Sequence, residues 1–475
     1  MATKKPNDIS TPSADVLRMR EDWGLVEALL EGTAFMRKLG ETHLPMWPKE
    51  DAEAYAARRK TATLTPAFSR TVKTLAAKPF SKPVTIADET PSGIKEMLDD
   101  VDQQGHNIDT VAADQLKIIV AYGCVGILAE HTPRPGGAVT QADEKQAGLR
   151  PYAVTVHPMQ LLGWRLEVKG GKPQLVQLRI KECVEEPDGE YATVEVEQVR
   201  LLTPGAWSIH RKNPQGVWVQ HGPGGTNSLS YIPFVLVCAD RKGFMLSKPP
   251  LIELAHLNVK HWQSQSDQDT LLHVARVPIL TAIGVDAKFS LVVGSSAAVR
   301  LPMGAELKYC EHTGAALESG AKSLEALVEE MRQAGAELLV LRPGPVTATE
   351  VASENAIGMC SLQETSAQLE DAWDQVLQMF ADYKALPKGG GVEFFKDFGA
   401  ATLAEASAQL LVGMATGGSL SKQTLISELK RRGILSAEVE WETEQGLMET
   451  EGPPPGADDP TAPLPGDPKA LPPVA

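Results

Sequence analysis

A stretch of short β-type segments with no helical segment between them, residues 151–239, most limits what this chain can fold into. Segments such as YATVEVEQVRLLT (191–203) are rich in β-branched residues, and the turn signals PDGE (187–190) and KNPQG (212–216) separate two pairs of them. This pattern predicts an antiparallel β-meander. Because parallel strands need long crossover connections, usually helices, the stretch is incompatible with a parallel nucleotide-binding sheet.

Helical periodicity dominates on both sides of this stretch, which makes the fold class α+β and mainly helical. The clearest predicted helices cover 107–121, 251–275, 315–337 and 353–385, and GCVGILAEH (123–131) is a predicted buried strand. Two of the helices have an apolar face, formed by Leu317, Leu324, Leu327, Val328 and Met331 in one and by Leu369, Trp373, Val376 and Phe380 in the other. GPGG (222–225) and KGGG (388–391) are predicted loops, since neither lies between a strand and a helix as a phosphate-binding loop does.

The segment HWQSQSDQDTLLH (261–273) places eight polar residues in a row between apolar ones. A metal site is disfavoured, because His256 and His261 point about 140° apart on a helix and His261 and His273 lie roughly 18 Å apart along its axis. A linker is the usual structure for such a run, but this one contains neither Gly nor Pro. A helix that is polar on every side needs solvent or polar neighbours, and repeated copies of the same helix in an oligomer would supply them.

Composition excludes several functional classes. The chain has 475 residues, which predicts two or three domains. Its net charge of −15 disfavours wrapping of DNA on a basic face. The five cysteines form no CxxC pair, no window is apolar enough for a membrane span, and the N-terminus lacks a secretory signal, so we expect a protein of the cytosol in which it is made.

No catalytic motif is recognisable. The P-loop, GxSxG, HExxH and GxGxxG patterns are absent, and no pair of carboxylates stands out from a solvated acidic surface. We therefore expect a non-enzymatic protein that needs no metal and no cofactor.

The order of elements resembles the portal (head–tail connector) proteins of tailed bacteriophages, and most closely their DUF4055-like branch. The resemblance covers roughly residues 20–450 and rests on order and pattern. The segments that carry it are SRTVKTLAAKPFSKP (69–83), AYGCVGILAEH (121–131), the stretch from IPFVLVCAD to VARVPIL (232–280), which includes KPPLIELAHLN, the stretch from TATEVASENA to MFADY (347–383), and GGSLSKQTLISELKRRGIL (417–435).

The resemblance implies a portal-like fold in which a small β clip lies between two stem helices. Its parts are a flexible N-terminus (1–14), a wing of helices and β-meander (15–240), stem helices (249–276 and 313–338) around the clip (277–312), a tunnel loop (339–350), a long wing helix with a return strand (351–399), a crown (400–450) and a disordered Pro-rich acidic tail (451–475).

The resemblance also implies a dodecameric ring at one capsid vertex, through which double-stranded DNA passes without sequence specificity. Its partners would be the terminase large subunit, the head–tail adaptor and the major capsid or scaffolding protein, and its location the virion after assembly in the host cytoplasm. The implied residues are Arg342, Thr347 and Thr349 in the tunnel loop, and His261, Gln265, Asp267, Asp269, His273, Glu325 and Glu329 at the stem-helix interface. Arg342 could contact phosphate or form an inter-subunit salt bridge.

The acidic helices fit a channel, because repeated copies would repel DNA and let it slide. The helix at 315–337 has five acids against two bases, and that at 353–385 has six against one. Another capsid-associated adaptor or scaffold protein, and more distantly a cytosolic hydrolase, remain the alternatives.

Overall fold

Helices and antiparallel sheets build this chain, in the α+β class predicted from its sequence. The computed structural model describes residues 8–132, 148–276, 279–284, 303–310, 315–339 and 360–396, together with 421, 423–426, 443 and 445–446. The chain divides into two units, Met1–Lys396 and Asp397–Ala475.

Local capping signals set the helix ends in the first unit. Ser13 accepts a hydrogen bond from the Val16 N–H at the start of the first helix, and Asn107 does the same for Thr110 at the start of the sixth. The nine helices in the described part of this unit are α1 (Ala14–Glu31), α2 (Thr33–Leu39), α3 (Ala52–Thr61), α4 (Ala67–Ala77), α5 (Ser92–Lys95), α6 (Ile108–Tyr122), α7 (Ile252–Ala275), α8 (Ala315–Ala336) and α9 (Ser361–Tyr383).

Every strand pairing that the structure describes is antiparallel. The strands are β1 (Thr85–Ile86), β2 (Cys124–His131), β3 (Pro151–Val156), β4 (Leu161–Lys169), β5 (Lys172–Asp188), β6 (Ala192–Thr203), β7 (Ala206–Lys212), β8 (Trp218–Thr226), β9 (Phe234–Cys238), β10 (Asp240–Gly243), β11 (Leu246–Lys248), β12 (Ile279–Ile283), β13 (Glu306–Cys310) and β14 (Val392–Glu393). They form a five-stranded sheet in the order β4-β5-β6-β7-β8, a three-stranded sheet in the order β3-β2-β9, and the pairs β1-β14, β10-β11 and β12-β13.

The five-stranded sheet confirms the predicted meander, with two corrections. β3 and β9, at the ends of the 151–239 stretch, pair instead with β2, whose first six residues are buried. The GPGG segment, predicted to be a loop, belongs to β8. Gly225 is required there because a Cβ would lie 2.4 Å from the Trp207 ring on the neighbouring strand. KGGG precedes β14 and is a loop, as predicted.

The main core forms where α6 and α9 pack against the three-stranded sheet. Leu369, Trp373, Val376 and Phe380, the predicted apolar face of α9, are all fully buried. The Trp373 indole N–H donates to Gln115 Oε1 of α6 at 3.0 Å, and Gln115 Nε2 donates to Thr155 on β3 at 3.0 Å. A continuous series of side-chain hydrogen bonds therefore connects α9, α6 and the three-stranded sheet.

The described part of the N-terminal segment differs from the flexible terminus expected for residues 1–14. The Arg179 guanidinium on β5 donates to the carbonyls of Ile9 and Thr11 at 2.7 and 2.8 Å, and the Ser13 N–H donates to Leu162 O at 2.7 Å. Residues 8–13 are thus bonded to the five-stranded sheet by backbone groups that no sequence pattern reveals.

The C-terminal unit is described at few positions. Residues 423–426 are helical, and Ser421 Oγ accepts from the Thr424 N–H at 3.1 Å, as a helix N-cap does. Most of the predicted crown (400–450), the whole predicted tail (451–475) and the predicted tunnel loop from residue 340 onward lie outside the described residues.

Candidate interaction surface on the helical hairpin

The helices α7 and α8 and the β12–β13 pair between them form one unit, here called the helical hairpin. Gln268, in the second half of α7, donates to Leu317 O at the start of α8 at 2.9 Å. At the other end, a Cβ on Gly335 of α8 would lie 3.8 Å from Leu254 of α7. The helices therefore run antiparallel, and at 1.5 Å per residue they are about 36 and 33 Å long.

Gly320 lets the two helices approach closely at the end nearer to β12 and β13. A Cβ at this position would lie 2.0 Å from Gln268 Oε1, inside the space that the carboxamide occupies while it binds Leu317 O. A larger residue here must displace Gln268 from that hydrogen bond.

We expect Gly320→Leu to destabilise the first unit by a net of about 0.5–2 kcal/mol, because overpacking and the loss of the Gln268 bond outweigh the roughly 1 kcal/mol gained when glycine is replaced inside a helix. Chemical denaturation followed by circular dichroism measures the change. Ser319→Leu is the matched control, since Ser319 is exposed on the same turn and should change the unfolding free energy by no more than about 0.5 kcal/mol. Equal stability of the two variants would contradict the close approach.

Polar residues of α7, among them the first residue of the polar run, have partners within the same chain. Asn258 Oδ1 accepts from the Phe68 N–H at 2.9 Å and its Nδ2 donates to Thr65 O at 2.9 Å, so a residue from α7 caps the start of α4. Gln263 Nε2 donates to His43 O at 3.0 Å. The sequence argument that the polar run lacks partners in its own chain is therefore wrong at Gln263, because a long-range contact supplies one.

Asp267 belongs to a cluster with the segment before α3. Its carboxylate accepts from the Trp47 indole N–H at 3.1 Å and lies 3.9 Å from Arg58, whose guanidinium stacks 4.2 Å from the Trp47 ring. Arg58 also binds Glu50 at 2.7 and 2.8 Å, with both side chains buried. Burial raises the pKa of Asp267 against the lowering effect of Trp47 and Arg58, whereas the hydrogen bonds from Arg58 lower the pKa of Glu50.

Not every polar atom of α7 is satisfied. His261 Nδ1, Trp262 Nε1 and Ser266 Oγ are buried without a hydrogen-bond partner among the described residues. His261 is 4% exposed in the single chain, so it lies on the inner side of α7 and not on a surface open to a neighbour. Burial lowers the pKa of His261, which favours the neutral imidazole.

The remaining predicted interface residues are on the outer surface of the helical hairpin. Asp269 and His273 are exposed on α7, and half-buried Gln265 donates to Asp269 at 2.8 Å. Glu325 and Glu329 are exposed on α8. The two aspartates therefore have different surroundings. Asp267 binds Trp47 and lies near Arg58, whereas the hydrogen bond described for Asp269 comes from Gln265 of its own helix.

The charged residues of α8 are all exposed. Its apolar stripe faces inward, with Leu327 and Met331 buried and Leu317, Leu324 and Val328 half-buried. Lys322 pairs with Glu318 at 2.8 Å and Arg332 with Glu329 at 3.3 Å. Glu325, Glu330 and Glu337 are exposed and form no ion pair with any side chain that the structure describes. Glu330 and Glu337, the latter in the turn after α8, share one side of the axis, whereas Glu325 lies about 140° from Glu330, beside the two ion pairs.

Most acids of α9 serve the fold instead. Glu370 accepts from the Phe394 N–H and from Lys396 at 2.6 Å, Asp374 accepts from the Val392 N–H at 3.0 Å, and Asp382 accepts from the Tyr231 hydroxyl at 2.5 Å. Only Glu364 and Asp371 of this helix are exposed acids without such contacts in the described structure. Of the two acidic helices, α8 is therefore the better candidate for an acidic surface.

Arg342, Thr347 and Thr349 of the predicted tunnel loop lie outside the described residues. Among the side chains that are described, no three His, Cys, Asp or Glu residues are grouped to hold a metal ion. No described helix is both long and apolar enough to cross a bilayer.

Comparison with known proteins gives a family match over the helical hairpin. A family model described as "Domain of unknown function (DUF4055)" matches residues 250–384, which span the helical hairpin and α9. No curated protein matches the chain.

Three solved structures show weak similarity. One chain of "Virion of native gene transfer agent (GTA) particle" is 13% identical, with a TM-score of 0.39, 82% of this chain covered and 96% of that chain. A chain of "Neck of empty GTA particle computed with C6 symmetry" is 14% identical, with a TM-score of 0.41 and coverage of 78% and 90%. A chain of "Neck of native GTA particle computed with C12 symmetry" is 13% identical, with a TM-score of 0.39 and the same coverage. Likeness at this level does not establish a common fold.

Sequence reasoning missed Arg58 and Asn258, which join α7 to the N-terminal helices. Arg58 is one of three consecutive basic residues, so its burial has no sequence signal beyond the Tyr and Trp nearby. Asn258 sits in an apolar segment of α7, and a polar residue at such a position is a general signal for a buried hydrogen-bonded contact.

Proposed function

We propose that the chain is a portal-type protein, which assembles into a ring at one vertex of a phage capsid and provides the channel for DNA packaging and ejection. The observation that carries this proposal is the helical hairpin within the DUF4055 match: two antiparallel helices joined through a β pair and followed by a long helix that is anchored in a separate sheet core. This is the order of stem, clip, stem and wing that the sequence resemblance implies.

The distribution of charge supports a conduit. DNA can move through a channel only if it does not bind tightly to the wall. Repeated negative side chains on the wall prevent tight binding, because they repel the phosphates over about one Debye length, roughly 8 Å at physiological salt. The unpaired acids of α8 and the net charge of −15 per chain supply such negative charge.

In this proposal the protein performs no catalysis. The β12–β13 pair, at the end of the helical hairpin, is the part that projects toward the terminase large subunit during packaging and toward the head–tail adaptor afterward. The capsid or scaffolding protein surrounds the wing. The ring assembles in the host cytoplasm and becomes part of the virion.

The test is the mass and shape of the assembled protein. We expect purified full-length chain to form closed, dodecameric rings with a central opening, as seen by native mass spectrometry and negative-stain imaging, because identical head-to-tail contacts generate a ring when their rotation closes. A chain that remains monomeric at tens of micromolar would overturn the proposal. Rings that lack an opening would favour the adaptor or scaffold alternative.

A further inference from the structure

Two strands of the five-stranded sheet, β5 and β6, extend beyond their neighbours. β4 pairs with β5 only as far as Ile180, and β7 pairs with β6 only from Gln198 onward, whereas β5 and β6 pair with each other out to Asp188 and Ala192. Residues 183–197, here called the arm, therefore form a ribbon of two strands about 20 Å long, at roughly 3.4 Å per residue. Because a two-stranded hairpin by itself is at best marginally stable in water, the arm is the part of this sheet that most needs a partner.

One face of the arm is mainly apolar. Side chains alternate between the two faces of a strand, and the cross-strand pairs on this face are Val184 with Val196 and Glu186 with Val194. Arg211 neutralises Glu186 at 2.6 Å, but Val194 is 46% exposed. The valines therefore present apolar surface that no described residue covers completely.

The other face of the arm is acidic. Glu185 lies directly opposite Glu195, and neither forms an ion pair with a side chain that the structure describes. The described contact of Glu195 is with the Cys183 thiol at 3.7 Å. Like charges in opposite positions destabilise a strand pair, and the whole arm contains six acids and no base. A cation from outside this part of the sheet is needed to balance the face.

The outer edge of β6 within the arm is open. Residues 192–197 pair with β5 on one side and have no β7 partner on the other, and they contain neither Pro nor a bulge. The opposite edge of the arm is less suited to pairing, because Pro187 has no N–H to donate. An open edge is a template for a strand of another chain.

β4 has a second open edge, on the opposite side of the same sheet. It is the first strand in the order β4-β5-β6-β7-β8 and pairs with β5 alone. The Ser13 N–H donates to Leu162 O at the start of β4. Further along the strand, Leu166 and Val168 are 37% and 76% exposed. The open part is therefore 164–169, which equals the six residues of the β6 edge in length.

The two faces of β4 continue those of the arm. Trp164 is opposite Leu178 of β5, which is six residues from Val184, so Leu166 and Val168 share the face of the valines. Cations are on the other face, with the acids of the arm. They are Arg165 and Lys172, both exposed and without an ion pair to a described side chain.

We propose that the β6 edge of the arm in one copy pairs with the β4 edge in the next copy, so that the sheets of neighbouring copies join. This inference rests on the proposed ring and names a contact within it. When the sheets join with matching faces, Val194 lies on the same side as Leu166 and Val168. The acids of the arm lie on the same side as the cations near β4, which the single chain leaves unpaired.

The strand directions make this contact head-to-tail. β4 and β6 run in the same direction, because each is antiparallel to β5. Joining opposite edges with matching faces therefore makes the two strands parallel and gives both copies the same orientation, which no two-fold axis can do. Such heterologous contacts generate a ring when their rotation closes.

A second arm and a basic partner protein are the other candidate occupants. Two arms joined through their β6 edges would bring two acidic faces together, which like charges oppose. A basic protein would match the acidic face alone. The β4 edge of a second copy matches the open edge, the apolar face and the charge, so the structure favours it.

Charge reversal on each side of the contact tests the proposal on the full-length chain. Glu185→Lys with Glu195→Lys should weaken assembly by roughly tenfold or more, and Arg165→Glu with Lys172→Glu should do the same, since like charges then meet between copies. The first variant keeps a like-charge pair within the arm, so the balance inside the arm is retained. Mass photometry across a concentration series measures the assembled fraction, and circular dichroism verifies that each chain is folded.

Recovery distinguishes a direct contact from a general effect of charge. A mixture of the two variants should assemble, because each reversed surface meets its complement on the other variant, and the chain with all four changes should assemble by itself. Arg70→Glu with Lys73→Glu is the matched control, since both are exposed cations on α4, outside the sheet, and it should assemble as the wild type does.

The outcomes separate this inference from the proposed function. Wild-type rings together with unaffected reversal variants, no recovery in the four-change chain, or an equal loss in the α4 control would overturn the inference and leave the ring intact. An arm variant that assembles with the wild type better than with the β4 variant would assign the contact to two arms and also overturn it. A wild-type chain that never assembles would overturn both proposals.

Discussion

Replacing Arg58 with alanine is expected to lower the free energy of unfolding by about 3–5 kcal/mol, because it leaves a buried carboxylate without its cation. Arg58 and Glu50 are each 4% exposed at their side chains and share two hydrogen bonds of 2.7 and 2.8 Å. Arg58 also donates to Pro45 O at 2.9 Å and stacks on Trp47, which binds Asp267 of α7. The change therefore disconnects the segment before α3 from the helical hairpin as well.

Denaturant unfolding of the full chain, followed by tryptophan fluorescence, measures this effect. The adjacent Arg59→Ala is the matched control, because Arg59 is exposed and should contribute no more than about 0.5 kcal/mol. Arg58 lowers the pKa of Glu50, so in the Arg58→Ala protein that pKa should rise and part of the lost stability should return as the carboxyl protonates at low pH. An Arg58→Ala protein as stable as the Arg59→Ala protein would show that the ion pair is not a structural link.

Truncating Trp373 to alanine is expected to cost about 3–5 kcal/mol, the range for removal of a fully buried large aromatic side chain. Trp373 is completely buried between α9 and the three-stranded sheet, and its indole N–H donates to Gln115, which is itself completely buried. Because α9 is part of the main core of the first unit, which also contains the helical hairpin, loss of this core should prevent assembly. We therefore expect this variant not to form the proposed ring at concentrations where the wild type assembles.

Trp373→Phe separates the contribution of the aromatic side chain's packing from that of its hydrogen bond to Gln115. It retains most of the apolar volume but leaves Gln115 Oε1 buried and unpaired, so a smaller loss of about 1–3 kcal/mol is expected. Gln375→Ala on the exposed side of the same helix is the control, with a change of no more than about 0.5 kcal/mol. If Trp373→Ala unfolds at the same denaturant concentration as Gln375→Ala, α9 is not part of the main cooperative unit.

Local pattern was sufficient for three of the four long helices, whereas the helix predicted over 353–385 begins only at Ser361, after the extended residue Cys360. The helix predicted over 107–121 is Ile108–Tyr122, that over 251–275 is Ile252–Ala275, and that over 315–337 is Ala315–Ala336 followed by one 3₁₀ turn. The first of these helices ends at Gly123, whose φ of 86° is the left-handed conformation that suits glycine. Such features depend on neighbours within one turn of the chain, which a sequence displays directly.

Pairing between distant segments was harder to predict. β3 and β9 carry the same β-type pattern as the meander strands, yet they pair with β2, because both strands complete the buried sheet under α9. β-propensity reports a strand that fits a half-buried pleated surface and does not specify which partner it finds. The five-stranded sheet was predictable because its turns are short and adjacent strands are consecutive in sequence.

The sequence by itself determined the α+β class, the positions of the long helices, the apolar faces of α8 and α9, and the excess of negative charge, since these depend on residue type and local period. Only the tertiary structure decided which polar groups form hydrogen bonds or ion pairs within the chain. Gln263 and Asp267 of the polar run form hydrogen bonds with residues far away in sequence, as does Asn258 earlier in α7. The same is true of the α9 acids Glu370, Asp374 and Asp382. A charge can be counted from the sequence, but whether it is paired depends on distances that exist only in the fold.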